Sequence, residues 1–198
     1  MKRQLAFVVA LSSMSLAASG EEMFVGEKNA PIALIEYGSL TCDACNYFHR
    51  AVLPSIQADY IDSGKVRYSY RHFPTGQAAL QGAIAVQCAG DKYYEMLDKL
   101  YLSIEHWHEA DNQNAMFVSQ AKVLGIDSAS YAQCLVDKQQ KALLLAGQQE
   151  ASQKYGVIGT PTFVINGQVV KGKRSFAQMQ VLLNGASSNV DDRKQPAD

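Results

Sequence analysis

These 198 residues hold no excess of charge, with 18 Lys+Arg against 19 Asp+Glu, and only five Pro and one Trp. The near balance and the lack of a dense basic stripe exclude a nucleic-acid binder that lives on phosphate attraction. There are no Gln/Asn tracts, no Pro-rich runs and no repeats of fixed period. That removes disordered, fibrous and solenoid architectures. Hydrophobic residues make up 47% and charged residues 19%, the balance of an ordinary compact domain.

Long apolar stretches are also missing. The longest mostly apolar run, Leu5 to Ala18, follows Lys2 and Arg3 and ends in Ala17-Ala18-Ser19-Gly20. It falls short of the roughly 18 residues that a membrane span requires. Residues 1–20 are therefore expected to be a secretory signal peptide, cleaved between Ala17 and Gly20. Export opens a disulfide-permissive compartment to Cys42, Cys45, Cys88 and Cys134, all of which follow that segment. No Asn-x-Ser/Thr acceptor occurs, which favours a bacterial envelope over a eukaryotic secretory route.

Periodicity then sets out the elements. Pro31 to Tyr37 reads as a buried strand closed by Gly38-Ser39. A helix from Thr41 or Cys42 to about Tyr60 follows, kinked at Pro54, and Val66 to Phe73 reads as a second strand. Between Gly76 and Gly156 apolar residues fall at i, i+3, i+4, which predicts four helices and a final one from Gln139 to Tyr155. Gly159 to Ile165 reads as a strand, Asn166-Gly167 as a two-residue turn and Gln168 to Val170 as its partner, before a helix capped by Ser175 and running through Leu183. The order β-α-β, helical block, α-β-β-α predicts an α/β chain with a thioredoxin-like fold and an inserted helical domain. Residues 21–75 and 145–185 would form the thioredoxin-like part, 76–144 the insertion and 186–198 a disordered tail.

Cys42-Asp43-Ala44-Cys45 falls where a strand gives way to a helix. Unpaired backbone N–H groups and the positive end of the helix dipole favour a thiolate at Cys42. Stabilising the thiolate stabilises the reduced form and makes the disulfide a better oxidant. Cys45, one turn on, is placed to close a disulfide with Cys42 and to resolve mixed disulfides.

Glu36-Tyr37-Gly38-Ser39-Leu40-Thr41-Cys42-Asp43-Ala44-Cys45 and the distant Gly159-Thr160-Pro161-Thr162-Phe163 together resemble the DsbA family of bacterial thiol-disulfide oxidoreductases. The resemblance spans nearly the whole chain after the leader. It implies that Cys42 is the exposed nucleophile, Cys45 its buried partner, and Pro161 a cis-proline that with Thr160 aligns the substrate. It also implies that Glu36 is the acidic residue beneath the site, a proton relay for Cys45; the alternative is a strand-end Glu that reaches solvent. It implies no bound cofactor and no metal. The partners it implies are unfolded or partly folded exported proteins and a membrane-bound DsbB-like quinone reductase, with the chain a monomer. Asp43 and Ala44 stand where the family's strongest oxidants have Pro and His, so the Cys42 pKa is expected above that of such a homologue. Thr160 leaves the direction of exchange open. The short lead before the first strand leaves no room for the separate dimerisation domain of the isomerases that resemble this family.

Cys88 and Cys134 lie on helix faces with Leu80 and Ile84, and with Tyr131 and Leu135, respectively. They are candidates for a structural disulfide, as in some alphaproteobacterial relatives, or for two separate buried thiols. His49 completes a Cys-x-x-Cys-x-x-x-His string, weak as a zinc signal because structural zinc takes four ligands. A position on the helix surface is expected for it, and surface exposure for His72, His106 and His108, the last two flanking Trp107 in a loop. Tyr37, Leu40, Phe73 and Phe163 suit either an apolar rim around the site or the core. The reading is an exported oxidase of cysteine pairs. A reductase or isomerase, and a metal-binding envelope protein using Cys42, Cys45 and His49, are the alternatives.

Overall fold

The structure, a computed structural model, describes residues 23–192. The expected signal peptide lies outside the described residues, as do residues 193–198.

The apolar run before Gly38 forms β1 (Ile32–Gly38), and the Val/Tyr-rich segment forms β2 (Val66–His72). They pair in parallel, Glu36 opposite Tyr70. The short connection between them is helical: α1 (Asp43–Tyr47), a π-helical turn over Phe48–Val52, α2 (Leu53–Ile56) and a second π turn over Gln57–Ile61. Pro54 has no N–H to return to the preceding turn, so the ladder widens around it where the sequence predicts a kink. β3 (Thr162–Ile165) runs antiparallel to β1 and pairs through Asn166-Gly167 with β4 (Gln168–Lys171), giving the order β2-β1-β3-β4. Asn166 and Gly167 both have positive φ, 48° and 89°, the pattern of a tight hairpin turn.

The helical block contains α3 (Gln77–Gln87), α4 (Tyr93–Leu102), α5 (Ile104–Trp107), α6 (Gln113–Val123) and α7 (Ser128–Leu135), followed by α8 (Lys138–Tyr155). One more helix precedes α8 than the sequence predicts. α5 is a single turn where a loop is expected, and Trp107 in it is buried with its indole N–H donating to the Leu100 carbonyl at 2.8 Å. α8 runs unbroken through positions 144 and 145, where the sequence reading sets the end of the insertion. α9 (Phe176–Asp192) continues well past Gly185, so the expectation of a disordered tail from 186 is corrected for the described residues. Met179, Leu183 and Ala186 recur on its inner face and pack on the core, which outweighs the cost of about 1 kcal/mol for Gly185 within a helix.

The sheet is covered on both faces. Ile32, Leu34, Phe163 and Ile165 face α1, α2 and α9 in the main core, which is continuous with the buried side chains of α3, α4 and α6. Tyr37 and Val164 face the other way, toward Ala151 and Val157 at the end of α8. Tyr37, Leu40, Phe73 and Phe163 are all buried and belong to the packing, not to an apolar rim. At Gly38 an added Cβ would overlap the Tyr70 ring; the missing side chain lets that tyrosine pass under the strand end that leads to the cysteines.

Candidate functional site

β1 ends at Gly38, the chain turns through Ser39-Leu40-Thr41, and Cys42 becomes the N-cap of α1, with extended backbone angles of −93° and 116°. Its Sγ accepts the Cys45 backbone N–H at 3.3 Å. A sulfur there satisfies a donor that the first turn would otherwise leave unpaired. As a thiol, Cys42 donates to the Thr160 carbonyl at 3.4 Å. The Thr160–Pro161 peptide is cis, and the loop before β3 meets Cys42 through the Thr160 carbonyl. Both thiols are free, Cys42 half-buried and Cys45 fully buried.

Their environments push the two thiols apart. Hydrogen bonding from Cys45 outweighs burial and, with help from Thr160, lowers the Cys42 pKa from 9.0 to about 6. Burial above all, then the hydrogen bond to Cys42 and the Glu36 charge, push Cys45 far above its ordinary value. At neutral pH the arrangement presents one thiolate at the surface and one protonated thiol behind it. Alkylation of the reduced protein by iodoacetamide should therefore be confined to Cys42, with a rate that rises through an inflection near pH 6 and moves to about 9.0 on unfolding. Because the folded pKa is the lower one, ionisation of Cys42 stabilises the folded reduced chain in full above pH 9, and that contribution fades as the pH falls to about 6. An inflection near 9 in the folded protein would remove the physical basis of the site.

Glu36 is completely buried and does not reach solvent. Its Oε2 accepts from the Tyr68 hydroxyl at 2.7 Å and lies 3.3 Å from His49 Nε2. The expectation of a surface position for His49 is corrected: it is 8% exposed and pairs with Glu36. One helical turn past Cys45 on the same face, it is carried inward by the packing that buries Cys45. That i, i+4 relation, together with an acidic residue in the adjoining strand, was the available sequence signal. Tyr68, and Asp98 of α4, which lies 3.9 Å from His49 Nδ1, carry no such signal, since a strand tyrosine and a helix aspartate have no spacing that ties them to Cys42. His72 is likewise buried, contrary to expectation, and burial holds its pKa down at about 3; His106 and His108 are exposed.

Among the described residues no three His, Cys, Asp or Glu side chains are grouped to hold a metal ion, and His49 is turned to Glu36. Cys88 and Cys134, away from this site in α3's C-cap and in α7, are joined in a disulfide.

A mixed four-stranded sheet between helices, with a Cys-x-x-Cys at the start of the first helix and a cis-proline loop against it, defines a dithiol protein of thioredoxin fold. A family model described as Thioredoxin matches residues 18–185, and the chain belongs to that family, on its DsbA-like side. The Wolbachia pipientis alpha-DsbA1 structure superposes with a TM-score of 0.79 at 26% identity, over 88% of this chain and 95% of that one. Bacillus subtilis BdbD shares the fold, with a TM-score of 0.72 at 22% identity over 84% and 93%. A Rickettsia conorii relative named as a protein-disulfide oxidoreductase is 28% identical over 89% of this chain but only 63% of its own length. The chain thus spans about three fifths of that relative.

Proposed function

We propose that the protein is an exported thiol-disulfide oxidoreductase that oxidises cysteine pairs in unfolded or partly folded exported proteins through a Cys42–Cys45 disulfide. The observation that carries this reading is the separation of the two thiols: Cys42 lowered to about 6 at the surface, Cys45 raised in the interior. A substrate thiolate attacks Cys42, Cys45 leaves and takes up a proton, and a second substrate thiolate then releases Cys42 as a thiolate. Glu36 is the proton relay, and Thr160 and Pro161 align the substrate chain beside Cys42. The chain acts as a monomer without a bound cofactor, in the periplasm, with a DsbB-like membrane protein as its electron acceptor. Residues 21–75 and 145–185 carry the chemistry, and 76–144 form the helical insertion that covers it. Cys88–Cys134 is structural, because neither sulfur has a second cysteine near it in sequence.

The potential of the couple tests the direction. A thiol pKa of about 6 lies between about 7 for thioredoxin and about 3.5 for DsbA. The potential should then fall between about −270 and −120 mV, the values of those two proteins. Equilibration of the Cys42–Cys45 couple with glutathione buffers measures it. A value at or below that of thioredoxin would turn the reading to a reductase.

A further inference from the structure

Glu36 is sealed in the interior, so any proton it passes to Cys45 has to be replaced from somewhere. The geometry offers one way out. His49 Nε2 lies 3.3 Å from Glu36 Oε2, while Nδ1, on the opposite edge of the ring, lies 3.9 Å from Asp98 Oδ1. The Asp98 side chain is 64% exposed. The second distance is too long for a direct hydrogen bond; Nδ1 is itself buried and has no hydrogen-bond partner among the described residues, so the exposed Asp98 carboxylate is its link to solvent. His49 and Asp98 both line a cavity of about 370 Å³ between α4 and the segment around α2, with Arg50, Pro54 and Tyr101. The ring cannot turn freely: it stacks on Tyr101 at 4.0 Å and 20° and meets the Tyr70 edge at 5.4 Å.

We propose that His49 conducts protons between water in the Asp98 cavity and the buried Glu36, and so acts as a positioning residue for proton transfer at Cys45. The inference rests on the exchange reading above. When a substrate dithiol reduces the Cys42–Cys45 disulfide, one S–S bond breaks and another forms, and two electrons pass from the substrate sulfurs to the enzyme pair. The products are a Cys42 thiolate, a Cys45 thiol and one released proton. The Cys45 proton comes from the Glu36 carboxyl, and Glu36 is reprotonated from Nε2 of the neutral His49 ring as Nδ1 takes up a proton delivered from solvent on the Asp98 side. Oxidation runs the same path outward.

The groups around the ring suit this traffic. Burial opposes the imidazolium, but the Glu36 charge and then Asp98 outweigh it, and the pKa of His49 is raised. Tyr68, which donates to the same Oε2 and lies 3.4 Å from Nε2, is pushed well above its ordinary range, first by burial and then by Glu36, so it fixes the carboxylate without ionising. Tyr70 and Tyr101 stay neutral for the same first reason. Arg50 is the remaining charge at the cavity.

The test is the rate at which dithiothreitol reduces the oxidised full chain, read by quenching and thiol alkylation across pH. His49→Ala should slow it on the order of 100-fold, the lower end of what a placed proton-transfer group contributes. Added imidazole, small enough for the cavity, should restore the rate in proportion to its protonated fraction, which lost packing alone would not produce. Asp98→Asn, a change at an exposed site, should move the pH profile to lower pH. A folded His49→Ala protein with the wild-type rate, or with a loss that imidazole leaves untouched, overturns the proposal. Should His49→Ala not fold, an unchanged pH profile in Asp98→Asn overturns it alone. Wild-type protein that exchanges no disulfide with dithiothreitol overturns the functional reading as well, which separates the two failures.

Discussion

Cys42→Ser should reduce disulfide exchange to the uncatalysed background and trap no substrate, whereas Cys45→Ser should accumulate mixed disulfides in an oxidising envelope. The asymmetry follows from burial. Only Cys42 is open to an incoming sulfur, so its loss removes both the attacked atom and the leaving thiolate. Loss of Cys45 leaves an exposed thiolate that joins a substrate and has no neighbour to cut it free. Non-reducing electrophoresis with antibody detection reads both results. Mixed disulfides formed equally by the two variants, or by neither, would end the assignment of nucleophile and partner.

The size of the Cys42 shift also says which step benefits. With a pKa of about 6 in place of 9.0, the fraction ionised at pH 7 rises roughly ninety-fold. Intrinsic nucleophilicity falls with basicity, however, and a slope of about 0.4–0.5 over three units takes back about twenty-fold of it. The net gain as an attacking group is therefore only about fourfold. As a leaving group Cys42 gains without that offset, since a more stable thiolate departs faster. The environment thus favours release of Cys42 from a mixed disulfide, the step that completes oxidation of a substrate. This is the kinetic counterpart of the potential proposed for the couple.

How far the sequence exposed this site depends on the range of the contacts. The strands, the Asn166-Gly167 hairpin and the helix start at Cys42 are written in neighbouring residues, through period-two and period-3.6 patterns and turn chemistry, and lie where local rules place them, except that β3 begins at Thr162 and not at Gly159, Pro161 having no N–H to give to the sheet. The approach of Thr160 to Cys42 joins residues 118 positions apart, and only resemblance to a family pointed to it. His49 shows a different failure. A lone histidine on a helix is polar by default, and its inward direction depends on whether a carboxylate waits in the core to compensate it. Glu36 does so from β1, and Asp98 approaches from α4. The continuation of α9 beyond Gly185 likewise depends on core positions offered by the sheet and α2; a helix end judged from glycine and polar composition cannot register them.

Replacing both Cys88 and Cys134 with Ala should lower stability by about 4 kcal/mol while leaving exchange at Cys42 intact. The cysteines are 46 residues apart, and closing a loop of that size removes chain entropy from the unfolded state equivalent to about 4 kcal/mol at 25 °C. The folded state should change little. One turn from the bridge, the buried Tyr131 hydroxyl donates to the Ala85 carbonyl at 2.6 Å, and Tyr131 and Leu135 pack into the core with Ile84, so α7 stays docked on α3 without the covalent link. For a chain of this length each kcal/mol corresponds to about 2–4 °C, and the melting temperature should fall by about 8–16 °C. Urea denaturation of the double variant beside the wild type, both with Cys42 and Cys45 reduced, gives the free energy directly. A loss below about 1 kcal/mol would mean that the unfolded chain already holds α3 and α7 together, so that the bridge constrains little. A loss of exchange activity in the folded double variant would instead make the pair part of the redox chemistry, because the entropy of the unfolded chain has no bearing on the reactivity of a thiolate in the folded one.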